Sequence, residues 1–385
     1  MSAVITFEPD ISALGRAESL AELFAETAAA HDAASSFPFE NFERLHEAGL
    51  LALRTPKQYG GGGASLGEAA RVIGAIAKGE PATALVLAMH YIQHAGIARN
   101  PHWPLPLKER LARETVEGIS LINVLRVEPD LGSPARGGLP AATAIRQGDR
   151  WSLSGRKLYS TGAPILSWYA VWAKTDEAIP RVGVFLVPAG LPGTRIVETW
   201  DHLGLRASGS HDVIFDNVAI PLDHAVDIRL QEEWTPQDVE QQHFDAGILL
   251  ASLYDGVARA ARDWLIGFLT TRTPSNLGRP LATLPRVQDS VGAIEILLTA
   301  NERLIDSLTR ENHGESVRPA DAHVVKSVVT NNAVQAVEIA MSLTGNHGLT
   351  RANPLQRHYR DVLCGKVHTP QDDSVRAMLG RAALA

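Results

Sequence analysis

The sequence predicts a mainly α-helical protein with a β-barrel in its middle. The expected parts are an α-helical N-terminal domain over 1–115, a β-barrel middle domain over 116–225 and a C-terminal helical bundle over 226–385. Three observations carry that expectation. Apolar residues recur at helical spacing from Ser19 to about Leu111, short β-rich runs replace them between Ile119 and Pro221, and helical spacing returns at Thr235. A chain of 385 residues has room for two or three cores, and 45% hydrophobic against 21% charged residues supplies the apolar material to fill them.

Start signals mark the first helices. Ser19 with Glu22 and Ser65 with Glu68 both match a capping box, in which a serine hydroxyl and a glutamate three residues on satisfy the first free amides. Phe42 and Leu45 share one helical face that Gly49 can close, and Gly60 to Gly63 read as a plain turn before the second box. In the middle, the runs ISLINVL, WSLSG, WYAVWAK, VGVFLV, TRIVE and HDVIFDNVAI are separated by Pro and Gly without intervening helices. That pattern predicts antiparallel, barrel-like sheets rather than alternating β–α units, and disfavours a Rossmann nucleotide fold. Thr235 as N-cap and Pro236 at the first helical position then start a helix running to about Thr271, followed by helical stretches at Leu281–Asn312 and Pro319–Leu343.

Composition excludes several function classes. Lys plus Arg number 36 against 43 Asp plus Glu, a net charge of −7, so no basic surplus favours nucleic acid or an anionic membrane. No apolar run approaches the roughly 18 residues a spanning helix needs, and the first residues lack a secretory pattern, so a cytoplasmic enzyme is expected. Cys364 is the only cysteine, which leaves no internal disulfide and no cysteine-based zinc site; without a base partner in the sequence it is expected to be inert. His90 and His94 stand four apart on a helix but lack the glutamate and third ligand of a metal site, so no metal is expected.

Five segments then resemble the acyl-CoA dehydrogenase superfamily over essentially the whole chain: FERLHEAGLLALRTPKQYGGGGAS, VEPDLGS, GRKLYSTGAP, HLGLRASGSHDVIFDNVAIP and GNHGLTRANPLQRHYRD. The resemblance implies an α-helical N-terminal domain, a β-barrel and a C-terminal four-helix bundle, assembled as a homodimer or homotetramer. It also implies a flavin between the middle and C-terminal domains, which brings its own redox chemistry and leaves the protein to position it. By residue match, Tyr159, Ser160 and Thr161 lie against the reactive edge of the flavin. The loop matching VEPDLGS supplies backbone contacts to the flavin, which puts Val127, Glu128 and Ser133 nearby. Arg272 reaches the flavin pyrophosphate of a neighbouring subunit, where a guanidinium's planar fork suits phosphate. Gln288 and the turn from Gly345 to Gly348 complete that end. The GNHG turn and the long RTPSNLGRPLATLPRVQ connection depart from the family pattern and leave FAD and FMN both open. Read without the resemblance, Arg272 caps a helix end and Thr161 pairs within the barrel.

The family's dehydrogenases take an α-proton with a glutamate, a step that needs a base of matched strength at the carbon. Thr369 stands where that carboxylate belongs, and the family's second base position falls near Ala246 and Gly247, with Asp245 one helical step of about 100° away. The segment VHTPQDD is instead similar to the HTxxD segment of flavin-dependent monooxygenases of this fold, such as dibenzothiophene and dimethyl sulfone monooxygenases. Those enzymes accept reduced flavin from a separate reductase and pass one oxygen atom to a small apolar or sulfur-containing molecule. The match gives catalytic roles to His368, His90 and Thr161, in a pocket that keeps water out. Packing is the alternative reading of His90, and capping of the last helix is the reading of Asp372 and Asp373. Two other functions stay open: an acyl-CoA dehydrogenase that has recruited His368 or Asp245 as base, and a flavin-free interaction protein.

Overall fold

The computed structural model describes residues 11–130, 138–310 and 317–385. Among the described residues, five helices come first: α1 (Ala13–Ala34), α2 (Phe39–Glu47), α3 (Leu66–Gly79), α4 (Pro81–Arg99) and α5 (Leu105–Glu117). The Ser65–Glu68 capping box is present with both of its bonds. The expected Ser19–Glu22 box is not. Ser12 is the N-cap of α1, and the Ser19 hydroxyl donates to the Gly15 carbonyl inside the helix. The apolar stripe of Ala17, Leu20, Ala21, Phe24 and Ala28 begins upstream of Ser19, and burying it extends the helix past the local start signal. Gly49, two residues beyond α2, has φ +68°, the left-handed conformation glycine adopts without strain. Helix α4 is buried on nearly every side, the pattern of a helix wedged through a core rather than laid over it.

Eight strands follow among the described residues: β1 (Leu121–Leu125), β2 (Thr143–Gln147), β3 (Arg150–Ser160), β4 (Leu166–Thr175), β5 (Arg181–Pro188), β6 (Thr194–Val197), β7 (His211–Pro221) and β8 (Ala225–Leu230). They form one sheet in the order β6-β7-β3-β2-β4-β5-β8, with β1 beside β4. Two expectations need correction here. The sheet is not a closed barrel, since β6 and β8 end it without pairing to each other. Nor is it wholly antiparallel: β1 and β2 both run parallel to β4. Parallel pairing becomes available because β1 and β4 are separated by a long excursion through β2 and β3 rather than by a tight turn. Strand β2 escaped the sequence reading because its outer residues Ile145, Arg146 and Gln147 are exposed, and β8 because Asp227 and Arg229 interrupt its apolar residues.

The C-terminal part holds α6 (Pro236–Thr271), α7 (Pro285–Thr309), α8 (Pro319–Thr344), the single turn α9 (Asn346–Leu349), α10 (Leu355–Leu363) and α11 (Asp372–Leu384). Helix α6 starts and stops where Thr235, Pro236 and Thr271 place it. It packs on α8 so closely that a Cβ at Gly247 would stand 3.0 Å from the Ala322 carbonyl oxygen. No helix among the described residues is long and apolar enough to cross a membrane.

Helix α10 joins the sheet to the first helix. Arg360 donates to both carboxylate oxygens of Asp32 and to the Leu203 carbonyl, and Asp361 accepts the Leu205 amide at 2.7 Å. Burial pushes the Asp361 carboxyl up to about 7, against which the Leu205 amide and Arg357 pull down. An acid whose folded pKa is raised holds its proton in the folded state while the unfolded chain has released it. Stability therefore falls as pH rises from about 4 to about 7. We expect D361N, which still accepts the amide, to raise the thermal midpoint relative to wild type at pH 8 and to leave it unchanged at pH 4. An equal shift at both pH values would show that titration is not the cause.

Candidate active site

The end of β3 carries the first group of expected residues. Tyr159 sits at φ +53°, a strained conformation for a bulky residue; the residue is 54% exposed, with its ring beside Trp200 and His202. The next side chain points inward: the Ser160 hydroxyl is buried without a hydrogen-bond partner. Thr161 then places its hydroxyl 3.0 Å from the Ser210 hydroxyl, which lies 2.8 Å from that of Ser208. The Asn123 side chain holds the Thr161 carbonyl at 3.1 Å, tying this turn to β1.

Just after β1, the Val127 carbonyl accepts the Leu158 amide at 2.9 Å. The Glu128 side chain is occupied within the protein. It meets the Lys157 ammonium at 2.6 Å and accepts the amides of Ala141 at 2.6 Å and Ala142 at 3.0 Å. Ser133 lies outside the described residues.

His368 stands on a turn that α8 holds from below. The Lys326 ammonium donates to the carbonyls of Gly365, His368 and Pro370, which spends all three of its protons on that turn. The Tyr254 hydroxyl on α6 lies 2.5 Å from His368 Nδ1. Burial holds this tyrosine's pKa well above its ordinary value, so it keeps its proton. We assign it as donor to Nδ1, which leaves the imidazole proton on Nε2. The His368 ring is only partly accessible, and burial, reinforced by the Lys326 charge, pushes its pKa down to about 4. The imidazole is thus neutral at pH 7, a fixed donor rather than a cation.

His90 is more deeply placed. Its Nδ1 accepts the Ile122 amide of β1 at 3.2 Å, so its proton is on Nε2. That nitrogen has no hydrogen-bond partner, although the Leu51 carbonyl lies close enough to favour its protonation; burial and then His94 drive the pKa well down. His94, packed edge-on at 4.4 Å, is satisfied between Thr55 and Thr115. No group of side chains suited to a metal ion is present among the described residues.

The acids that could replace a lost base are all engaged. Asp245 is buried, with one oxygen shared by Arg54 at 3.1 Å and Arg99 at 2.9 Å and the other accepting from Gln241 at 3.0 Å. Asp372 accepts from Ser327 at 2.7 Å and Asn331 at 2.8 Å, so it binds α8 rather than capping its own helix, whose N-cap is Gln371. Asp373 is in the first turn of α11. The Cys364 thiol is pushed up to about 12 by burial and then by Asp361, which keeps it inert at neutral pH.

The remaining expected residues meet at the far end of the bundle. Arg272 is the exposed C-cap of α6, and Gln288 lies in the first turn of α7 with its amide on the Ala282 carbonyl. Gly345 ends α8 at φ +54°, Gly348 is buried against it, and His347 between them packs 5.2 Å from Phe268 of α6. At about 1.5 Å per residue, Arg272 and Tyr254 stand roughly 27 Å apart along α6. The Arg272 end of α6 is therefore well separated along that helix from Tyr254 and its partner His368.

Tyr254, Lys326 and the Asp245 clamp were not singled out in the sequence as parts of this site. A lysine in the apolar stripe of α8 was the available signal, since a lysine is rarely fully buried without a dedicated set of acceptors.

Comparison with known proteins decides the family. The N-terminal, middle and C-terminal domain families of acyl-CoA dehydrogenases match residues 16–100, 126–218 and 248–372. A putative acyl-CoA dehydrogenase of Bacillus subtilis, YdbM, is 33% identical over 363 residues, covering 92% of each chain. The chain belongs to the acyl-CoA dehydrogenase superfamily. Superfamily members are flavin-dependent oxidoreductases, and flavin is the cofactor they carry. Not every relative is named a dehydrogenase. L-evernosamine nitrososynthase of Micromonospora is 29% identical over 383 residues, covering 92% of this chain and 86% of its own. Among solved structures, KijD3 in complex with FMN and a dTDP-linked amino sugar superposes with a TM-score of 0.81 at 26% identity, covering 98% of this chain and 95% of that one.

Proposed function

We propose that this superfamily member is the oxygenase component of a two-component flavin monooxygenase, acting on a small organic substrate with reduced flavin from a separate reductase. One observation carries the reading. Neither family base position bears a carboxylate, and the neighbouring acids Asp245 and Asp372 are held by partners that leave no free basic oxygen. In their place stands the neutral imidazole of His368, with Nδ1 engaged and Nε2–H left to donate.

The residues present fit a flavin. Tyr159 is a large ring left exposed by a strained backbone, next to the unpartnered Ser160 hydroxyl and the Thr161 hydroxyl. Strain of this kind persists where a site requires it. When bound, a flavin would supply the redox chemistry, including the reaction of its reduced form with dioxygen. Thr161 then offers a hydroxyl steadied by Ser210 and Ser208, and Val127, Glu128 and, by its place in the motif, Ser133 are the further residues we assign to the flavin. His368 holds a proton at Nε2 for the reacting group. His90 is a positioning residue: it anchors Ile122, whose neighbour Asn123 holds the Thr161 carbonyl. Arg272, Gln288, Gly345 and Gly348, far from His368 in their own chain, suit the phosphate end of a flavin bound by a second copy.

A dehydrogenase with a relocated base is the second reading, favoured by the likeness to YdbM. Anaerobic mixing of the flavin-loaded protein with a panel of acyl-CoA thioesters separates the two. The oxygenase keeps its flavin oxidised; bleaching of the visible flavin absorbance by any thioester makes the protein a dehydrogenase.

A further inference from the structure

A cavity of about 450 Å³ opens between α1, the loop joining β6 to β7, and the start of α10. It is separate from the site built above: Tyr159, Thr161, Tyr254 and His368 do not line it, and neither do Arg272 and Gln288. Ala25, Ala29 and Ala33 of α1 form a small apolar wall, joined by Leu203 from the loop. The lining also carries four guanidiniums, of Arg206, Arg351, Arg357 and Arg360, against one carboxylate among the described residues, that of Asp32.

Two of these arginines are spent on the fold. Arg360 meets the two oxygens of Asp32 at 2.8 and 2.5 Å and gives its other donors to the Leu203 carbonyl and the Gln356 side chain. Arg206 donates to the carbonyls of Asp32 and His202, to the Ser35 hydroxyl and, at 3.3 Å, to the exposed Asp201 carboxylate. The other two have no such partners. Arg357 is only 6% exposed, its Nε is buried without a hydrogen bond, and among the described residues no carboxylate or other acceptor meets its guanidinium. Arg351, exposed where it lines the cavity, has none either. A guanidinium keeps its charge at any working pH, and a buried charge without a partner is costly.

The acids around Arg357 leave that charge unanswered. Asp361, one turn further along α10, accepts the Leu205 amide instead. Arg357 also borders a groove along α1, α3 and α6, whose acids are Glu18, Glu22, Asp255, Asp263, Glu302 and Asp306. None of them lines the cavity or pairs with Arg357; Arg259 holds Asp255 and Glu302, and Lys78 holds Asp263. Glu26, the remaining acid of α1, lines neither space. With Arg360 answered by Asp32 and Arg206 by Asp201, the lining keeps two positive charges, on Arg351 and Arg357.

We propose that this cavity is a second ligand site, which takes a small organic molecule bearing a phosphate or pyrophosphate group. Two unanswered guanidiniums suit a dianion better than a single carboxylate, and their planar forks match phosphate oxygens. The cavity is of the size that holds small organic ligands, so there is room beyond the phosphate, and the alanines of α1 with Leu203 offer apolar contact to the rest of the molecule. The site stands whether the flavin oxygenates or dehydrogenates, so the thioester test above and the following test fail independently.

The experiment is a calorimetric titration of the flavin-loaded protein with inorganic pyrophosphate and, separately, with adenosine diphosphate. Wild type should bind both saturably, at one site per chain. R357Q should weaken that binding at least tenfold and R351Q at least threefold, with flavin content unchanged in both. R272Q, altered at the end expected to hold the cofactor's phosphate, should bind the two probes as wild type does, whatever its flavin content. The proposal is overturned if wild type binds neither probe, or if R357Q and R351Q both bind as wild type. It is overturned equally if R272Q loses the binding while R357Q keeps it, which would assign the probes to the cofactor end. Should R357Q not fold, the exposed substitution Arg351→Glu carries the comparison: it should abolish binding, and unchanged binding overturns the site.

Discussion

His368→Ala should lower turnover of the flavin-loaded enzyme by about 10²–10⁴, the usual contribution of a positioned proton donor, while flavin affinity changes by no more than a few-fold. Turnover here means oxygen-dependent product formed from a panel of thioethers, amines and aromatic acids supplied with reduced flavin. The split between turnover and cofactor binding is expected because the ring is held by Tyr254, and the Lys326 bonds run to main-chain carbonyls that an alanine retains. The pH profile adds a second check. With the His368 pKa pushed down to about 4, the wild-type rate should show no step near the ordinary imidazole value of about 6.5. A step there that vanishes in His368→Ala would mean that the group titrates as a normal exposed histidine and that the burial argument is wrong.

The largest loss of stability should come from Glu128→Ala, at about 3–5 kcal/mol, the range for leaving a buried charge without its partner. Lys157 is fully buried, and its remaining acceptor is the Trp172 carbonyl. The same substitution orphans the amides of Ala141 and Ala142. Pairing it with Lys157→Met removes the stranded charge, so the double variant should recover part of the loss but not all of it, since the two amides stay unsatisfied. Denaturant midpoints of the four proteins check this. A double variant no more stable than Glu128→Ala would show that the amides, not the ion pair, dominate.

Glu128 also illustrates how a family motif and a packing role can share one residue. The sequence places it in the VEPDLGS segment as a flavin contact, while its side chain turns out to close the core beneath that loop. His90 followed a similar course, with its imidazole serving β1 through Ile122. In both cases the residue type was informative, but the direction of the side chain depended on which strand lay against it.

Helix starts with clear chemistry, such as Ser65 with Glu68 and Thr235 with Pro236, were legible because their bonds join residues three or fewer apart. Ser19 with Glu22 carried the same local signal and failed, because the buried stripe of α1 extends upstream of it. The division into helices, strands and helices, the lack of a carboxylate at Thr369 and the family itself were also properties of the sequence, since composition, periodicity and ordered motifs are one-dimensional. Tertiary structure alone decided that the sheet stays open, that Asp245 is clamped by Arg54 and Arg99, and that Tyr254 fixes the proton of His368. Each of those outcomes depends on groups far apart in the chain, and whether a charge is paired or stranded is a matter of distance in space.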